Sequence, residues 1–554
     1  MSRIVIVGGG LAGLSAAHTV LERGGCVVLL DKNAFLGRHN SLVCVSCLSS
    51  VTLAGNSTKA TSGINGAGTS TQIKAGIPDN SQIFYEDSAK SARAEIVPEL
   101  TKVLTYQSGA AVEWIQDKFK VDLSLISRLG GHSQPRTHRG TEQFPGMTIT
   151  YALMEGLEDT ARSSPATAQV IKKANVTKLI MEGSTVVGVE YVKGNQTFKE
   201  MGPVILATGG YAADFSETSL LKKYRPELWD LPTTNGDHCT GDGIKMTTAI
   251  GGNTIHMDKV QVHPTGLVDP NEPDAKVKFL AAEALRGVGG LLSMPMEIVL
   301  LTSLVTEITS LHYMGRGLMK HYKSAAAMSQ DTGMPLKNLE STFSTYNNIA
   351  KTKNDPFGKK FFHNTPLVPD DEYWVAVVCP VLHFTMGGVQ INDKSNVLGA
   401  NGVIPGLFAC GEMAGGVHGA NRLGGSSLLG CVVYGRVAGA TAASYLMNQF
   451  SAQRRLGAVA GHLSTVPVTI SIAGVNVTVT HGNIAANTSA FSGSESTSGA
   501  SSGSTPPVAA APATAAAEST SKNHEFSLTD ISKHNKDSDC WVVVNGQVLD
   551  VTGF

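Results

Sequence analysis

Four consecutive branched apolar residues, Ile4 to Val7, open the hydrophobic pattern of the chain, as a strand buried on both faces requires. A glycine-rich turn and a run of small and apolar residues follow, then a second apolar run, Cys26 to Leu30, closed by Asp31. The stretch "IVIVGGGLAGLSAAHTVLERGGCVVLLDK" therefore predicts strand, tight turn, helix and strand. Apolar strands of the same kind recur in "GPVILATGGYAADF", which runs into Gly209 and Gly210, and in "VIPGLFACGEMAGG". The latter precedes an apolar helix predicted to begin near Ser426.

The turn residues carry chemistry. Gly8, Gly10 and Gly13 form G-x-G-x-x-G, which permits the tight turn, close approach of backbone to a pyrophosphate, and close packing of helix on strand. The helix N-terminus offers free N–H groups and a partial positive charge to phosphates. Asp31, at the end of the second strand, is placed to accept hydrogen bonds from a ribose diol. A second ligand end is predicted where Glu412 and a glycine string lead into the Ser426 helix; a helix N-terminus there suits the pyrimidine edge of a flavin, where negative charge develops on reduction. A cofactor gripped near residue 8 and again near residue 412 implies FAD in a domain split by an insertion.

Composition narrows the classes. The 554 residues suffice for two or more domains. Their 16% charged residues and formal net charge of -1 provide no electrostatic ground for binding nucleic acid or an anionic membrane. Leu291 to Leu311 is long and greasy, but Pro295, Glu297 and Glu307 argue against membrane insertion, because a charge at bilayer depth costs roughly 2.5–3.5 kcal/mol. The chain starts on a strand with no basic-then-apolar leader, so a cytoplasmic location is expected. Of eight cysteines only Cys44 and Cys47 form a C-x-x-C, with no second pair for a zinc site; no metal is expected, and the rest read as buried thiols of a reducing compartment.

Seven strings together, "GNSTKATSGINGA", "GGHSQPRTHR", "ILATGGYAADF", "HPTGLVDP", "FLAAEALRGVGG", "HFTMGG" and "HGANRLGG", resemble the flavoprotein family of fumarate reductases and succinate dehydrogenases, above all its soluble eukaryotic fumarate reductases. The resemblance spans residues 1 to about 448. It implies an α/β fold: a Rossmann-like FAD-binding domain (residues 1–257 and 381–450) split by a smaller α+β capping domain (258–380). It implies FAD as cofactor, fumarate and succinate as substrate and product, and NADH or a small redox carrier as electron donor. Asn56, Ser57, Asp242, Glu412 and Ser427 resemble FAD contacts; His263, His383 and Arg422 resemble the clamp on the substrate carboxylates; Glu283 and Arg286 resemble a relay that reprotonates an arginine acid. The residue types suit the chemistry. Arg offers a planar fork to a carboxylate and stays charged, and fixed imidazole donors polarise a double bond flanked by carboxylates.

The chain departs from that family in four places. The arginine acid is expected soon after "LRGVGG", in a stretch like "NANGDRFVNELGHRDY", yet "MPMEIVLLTSLVTEIT" (Met294 to Thr309) stands there. Read one nucleotide earlier, codons permitted for that run encode N-A-N-G-D-R-F-V-N-E-F-G-H-R-D-Y, and the arginine falls across Thr306 and Glu307. The reading is a frameshift in the gene or in its translation. "RHNSLVCVSCLSSVTLA" (Arg38 to Ala54) separates strings that adjoin in the family and reads either as untranslated sequence carried into the chain or as a surface loop that bulges outward to leave the FAD seat intact. Beyond about residue 450, a strand-like "VPVTISIAGVNVTV" and a Ser/Ala/Gly/Pro tract predict a largely disordered linker over 451–523. Residues 524–554 resemble an incomplete b5-type cytochrome domain that lacks the H-P-G-G ligand string, so no haem is expected on this chain. Sequencing of the transcript across Arg38 and Met294 is expected to reveal the slip and the insert; peptides covering both runs as written would overturn that reading.

Overall fold

Complete burial of Ile4–Val7 is satisfied by making this strand an interior member of a six-stranded sheet. The computed structural model describes residues 3–34, 55–141, 144–283, 285, 290–293, 298–302, 313–465, 468–472, 475–479, 535–536, 539–544 and 547–550, with backbone alone over 292–302 and from 452 onward. Spatial order across the sheet is Asn396–Gly399, Gly402–Ala409, Val204–Leu206, Ile4–Val7, Val27–Asp31 and Ala168–Lys172. All pairs are parallel except the outermost, Asn396–Gly399 with Gly402–Ala409. Val5 lies opposite Val204, and Val204 opposite Leu407, so segments some 200 residues apart in sequence become neighbours at the first strand's C-terminal end. In open α/β sheets that edge is where ligands bind.

The first helix, Leu11–Glu22, packs on the sheet and against the long helix Ser426–Thr465. Glycines make the helix–helix approach possible. A Cβ on Gly435 would lie 2.5 Å from the Ala12 carbonyl oxygen, and one on Gly439 would lie 2.6 Å from that of Ala16.

A second, all-antiparallel sheet supplies the other wall of the site. It is built on the long strand Tyr373–Thr385, flanked by Val260–Leu267 and by Ile298–Thr302. Phe279–Leu280 extends it on one side, Leu291–Ser293 on the other, and Lys320–Tyr322 also pairs with the long strand. This strand crosses the boundary expected at 380/381. Helices Ala325–Thr332 and Leu336–Thr352 cover a small core in which the Phe343 and Tyr373 rings stack 5.1 Å apart.

Several boundaries differ from expectation. Part of the greasy run is a strand: Ile298 to Thr302 pairs in order with Val378 to Trp374. Its unbroken β-branched and Leu content fits a sheet position, where periodicity alone is silent. The last helix continues past residue 450 to Thr465, and "VPVTISIAGVNVTV" forms two strands, Val468–Ile472 and Val475–Val479, in a hairpin rather than one. Secondary structure thus reaches into the stretch expected as a linker. Cys44 and Cys47 with the rest of Arg38 to Ala54, Arg286, most of Met294 to Thr309, and the tract around 492–521 lie outside the described residues. Among the described cysteines Cys239, Cys410 and Cys431 are buried, whereas Cys26 and Cys379 are only partly so, contrary to the buried thiols expected. Among the described residues no helix is long and apolar enough to cross a membrane.

Contacts group the chain into two units, Met1–Thr480 and His481–Phe554. The second contains the strands Asn535–Lys536, Asp539–Val544 and Gln547–Asp550 in an antiparallel ladder.

Replacing Gly by Ala inside an exposed helix gains about 1 kcal/mol in propensity. At Gly435 the sign reverses: the added methyl meets backbone, and overpacking costs about 1–3 kcal/mol. Gly435→Ala is therefore expected to lower the denaturant midpoint without changing the slope, as followed by urea unfolding.

Candidate active site

At the C-terminal end of the parallel sheet, the turn after Ile4–Val7 is stripped of side chains. Gly8 sits at φ +107°, where a Cβ would lie 2.3 Å from the Ala207 oxygen, and a Cβ on Gly13 would lie 1.9 Å from the Gly8 oxygen. Asp31 closes the second strand, and its carboxylate accepts the Gly9 N–H at 2.6 Å and the Asn33 N–H at 2.7 Å. Burial raises its pKa, with those hydrogen bonds and Lys32 acting the other way. Lys32 pairs with Asp242 at 2.6 Å, and Thr240 donates to the other oxygen of that carboxylate at 2.6 Å.

Asn56 accepts the Gly236 N–H at 2.9 Å; its amide group donates to Asn235 and, at 3.0 Å, to the Cys239 sulfur. Ser57 hydrogen-bonds the Cys431 thiol. Gly209 follows the third parallel strand at φ +77°. Glu412, half-buried at the cavity wall, accepts the Thr385 N–H at 3.0 Å and its hydroxyl at 3.1 Å; desolvation pushes its carboxyl up to about 7.

Gly8, Gly10, Asp31, Asn56, Ser57, Gly209, Asp242, Glu412 and Ser427 line one cavity of about 530 Å³, within the range of small-molecule and cofactor sites. The donor set fits FAD. The cavity lining combines a side-chain-free loop at a helix N-terminus, polar amide and hydroxyl groups, and Glu412 and Ser427, the latter at the start of the long helix. Gly13 supports the turn from behind and is absent from the lining.

The same cavity is lined by His263, Glu283, His383 and Arg422. His263 and His383 stand on the paired strands Val260–Leu267 and Tyr373–Thr385, with ring centroids 5.4 Å apart. The Thr265 backbone N–H donates to His263 Nδ1 at 3.3 Å. A nitrogen that accepts carries no proton, so Nε2 of the neutral ring bears it and is a donor. His383 Nδ1 lies 2.8 Å from the Thr234 hydroxyl. Burial holds His383 well below the ordinary imidazole range, and the charge of Arg422 and the neighbouring His263 push the same way.

Arg422 is buried and donates to Gln261 Oε1 at 2.9 Å and to the Leu423 carbonyl at 3.1 Å; its guanidinium lies 4.8 Å from the Phe384 ring centre. Its Nε has no partner, and among the described residues it makes no ion pair. Burial lowers its pKa, with Glu283 and Glu412 opposing from a distance. The Glu283 carboxylate rests against Gly424, where a Cβ would lie 2.2 Å from Oε2. Arg286 is outside the described residues, so the expected Glu283–Arg286 pair has no geometry to report.

Sequence reasoning passed over four further lining residues: Lys59, His238, Cys239 and Arg316. Both ring nitrogens of His238 and one guanidinium nitrogen of Arg316 are buried without a partner. Burial also lowers the Lys59 pKa. Lys59 lies in the quoted string "GNSTKATSGINGA", but only the fold shows that it faces this cavity.

Comparison with known proteins follows the same division of the chain. Residues 3–428 match the FAD binding domain family, and residues 527–554 match the cytochrome b5-like heme/steroid binding domain family. The fumarate reductase of Schizosaccharomyces pombe is 45% identical over 81% of this chain and 91% of its own length. Fumarate reductase 1 of Saccharomyces cerevisiae is 36% identical over 79% and 98%. The open conformation of a flavocytochrome c3 fumarate reductase superposes with a TM-score of 0.61 at 28% identity, covering 80% of this chain and 78% of that one. With a parallel-sheet FAD seat, a second sheet bearing the two histidines, and relatives matched over most of their length, the chain belongs to the FAD-binding fumarate reductase family.

Proposed function

We propose that this chain reduces fumarate to succinate, using electrons from NADH or a small redox carrier. The carrying observation is a single cavity lined both by the glycine turn and Asp31 and by His263, His383 and Arg422. Reduced FAD, when bound, supplies a hydride equivalent; one proton completes the reduction of the alkene. Arg422 offers a buried cation that pairs with no carboxylate among the described residues, so one carboxylate of the substrate supplies a partner. His263 Nε2–H and His383 add neutral donors that orient the diacid and stabilise charge building beside the double bond. In the frame-shifted reading of Met294 to Thr309 the proton donor is the arginine that falls across Thr306 and Glu307, with Glu283 and Arg286 as the relay that reloads it.

A second reading, a flavin-binding chain with little turnover, is favoured by the absence of that arginine from the sequence as it stands. General acid catalysis is worth about 10²–10⁴-fold, so its loss slows chemistry while leaving binding. Related names, an NADH:acrylate oxidoreductase and a urocanate reductase at 26% and 27% identity, define the competing substrates.

Under anaerobic conditions the chemically reduced protein is expected to be reoxidised by fumarate, and far more slowly by acrylate or urocanate. Preference for either of those would replace the substrate class, and reoxidation by none of them alongside intact diacid binding would select the second reading. Arg422→Gln is expected to weaken succinate binding by about 2–5 kcal/mol while keeping FAD, measured by flavin difference spectra.

His383 is expected to contribute no pH dependence where histidines usually titrate. His383 is neutral throughout because its pKa lies well below 6.5. An ordinary histidine here would gain charge as pH falls and tighten binding of the dianion. Succinate affinity measured from about pH 6 to about pH 8 is therefore expected to show no rise on acidification from this group.

A further inference from the structure

We propose that His132, itself held by Arg136, is the positioning residue that fixes Arg422, by donating a hydrogen bond to the backbone carbonyl of Gly424. This assignment rests on the reading of Arg422 as a carboxylate ligand. The motif "GGHSQPRTHR" takes no part in lining the cavity, yet it contains a fully buried charge, Arg136.

Arg136 is 0% exposed and binds Asp79 with two hydrogen bonds, Nε at 2.9 Å and Nη2 at 2.8 Å. Its Nη1 reaches Asp87 at 2.6 Å and His132 Nδ1 at 3.2 Å, and its plane lies 4.6 Å from the Phe84 ring centre. A guanidinium only donates, so His132 Nδ1 accepts and the proton of the neutral ring sits on Nε2. That nitrogen is 2.9 Å from the Gly424 oxygen. The carbonyl can only accept, and both contacts are satisfied by one tautomer. Burial, with the Arg136 charge next, holds the His132 imidazole down at about 4, which keeps it in that neutral form.

The Gly424 oxygen takes a second hydrogen bond, from Asn65 Nδ2 at 2.8 Å, while Asn65 also donates to Ser426 Oγ at 2.9 Å and accepts from Thr137 Oγ1 at 2.7 Å. No side chain fits at the turn itself: Gly425 sits at φ +77°, with a Cβ position 2.3 Å from Asn65 Oδ1. Arg422 lies two residues before this turn, and the long helix starts immediately after it. The clamp therefore holds the guanidinium and the cofactor-side helix end from one carbonyl.

Stability alone is a poor account of such a cluster. Burying a guanidinium with carboxylates costs several kcal/mol per ion in desolvation, and an apolar group of the same volume is often as stable. Precision is the better account, since a shift of about 1 Å in a positioning group costs on the order of a hundredfold.

Two variants and one spectroscopic measurement on the full-length FAD-loaded protein test the assignment. His132→Leu removes the donor; His132→Gln restores an amide N–H toward Gly424 and an oxygen toward Arg136. His132→Leu is expected to retain FAD at wild-type stoichiometry and to bind succinate about 10- to 100-fold more weakly, with His132→Gln recovering most of the loss. Wild-type affinity in His132→Leu, or no recovery in His132→Gln, overturns the proposal. Should His132→Leu not fold, ¹⁵N spectra of histidine-labelled wild-type protein, assigned by difference with His132→Gln, carry the test. A bare Nδ1 and protonated Nε2 are expected near neutral pH, and an Nδ1–H tautomer or an imidazolium overturns the clamp. If the wild-type protein binds no succinate, the functional reading of Arg422 fails, while the same spectra still decide the clamp.

Discussion

A guanidinium carried into the protein interior with no carboxylate partner among the described residues is the constraint around which this structure is arranged. Arg422 is 6% exposed, and its partners are the Gln261 amide oxygen and a backbone carbonyl, both neutral. Desolvating an unpaired cation costs several kcal/mol. The fold tolerates it because Arg422 sits in a loop fastened on both sides, by Gln261 on the second sheet and by the Asn65–His132 donors behind Gly424. An anionic ligand then completes an environment already arranged for it. Charge, donors and cavity are prepared in advance, and little reorganisation remains when the ligand arrives.

The two sheets divide the work by their geometry. A parallel sheet gathers its loops at one edge, and here that edge receives the glycine turn, Asp31, Gly209 and the Glu412 loop from four distant parts of the chain. The antiparallel sheet instead brings His263 and His383 side by side on paired strands, which holds the rings 5.4 Å apart. Burial tunes both ends in opposite directions. It raises the Glu412 carboxyl to about 7 and lowers His383, so each group moves toward its neutral form beside a cavity suited to a charged ligand.

The anomalous run after "LRGVGG" bears on this division. Ile298–Thr302 completes the antiparallel sheet against Trp374–Val378, and a greasy segment of Val, Ile and Leu satisfies such a position regardless of its origin. Pairing in a sheet asks only for backbone and bulk, whereas proton donation asks for one side chain at one place. Sheet membership of this segment therefore carries no information about a proton donor.

Local rules made much of the chain legible before folding was considered. A G-x-G-x-x-G turn depends on steric freedom at three positions, a doubly buried strand on a run of branched apolar residues, and both are written within a dozen residues. The length of the last helix and the hairpin at 468–479 were misread because their ends depend on packing rather than on a local signal. What only the tertiary structure decided is which distant groups meet. Gly424 lies 359 residues from Asn65 and 292 from His132, and the tautomers of His132 and His263 follow from which atoms face them. Lys59, His238 and Arg316 face the cavity for the same reason. A sequence specifies what each residue is able to do; hydrogen bonds and burial, set by the returning path of the chain, decide what it does.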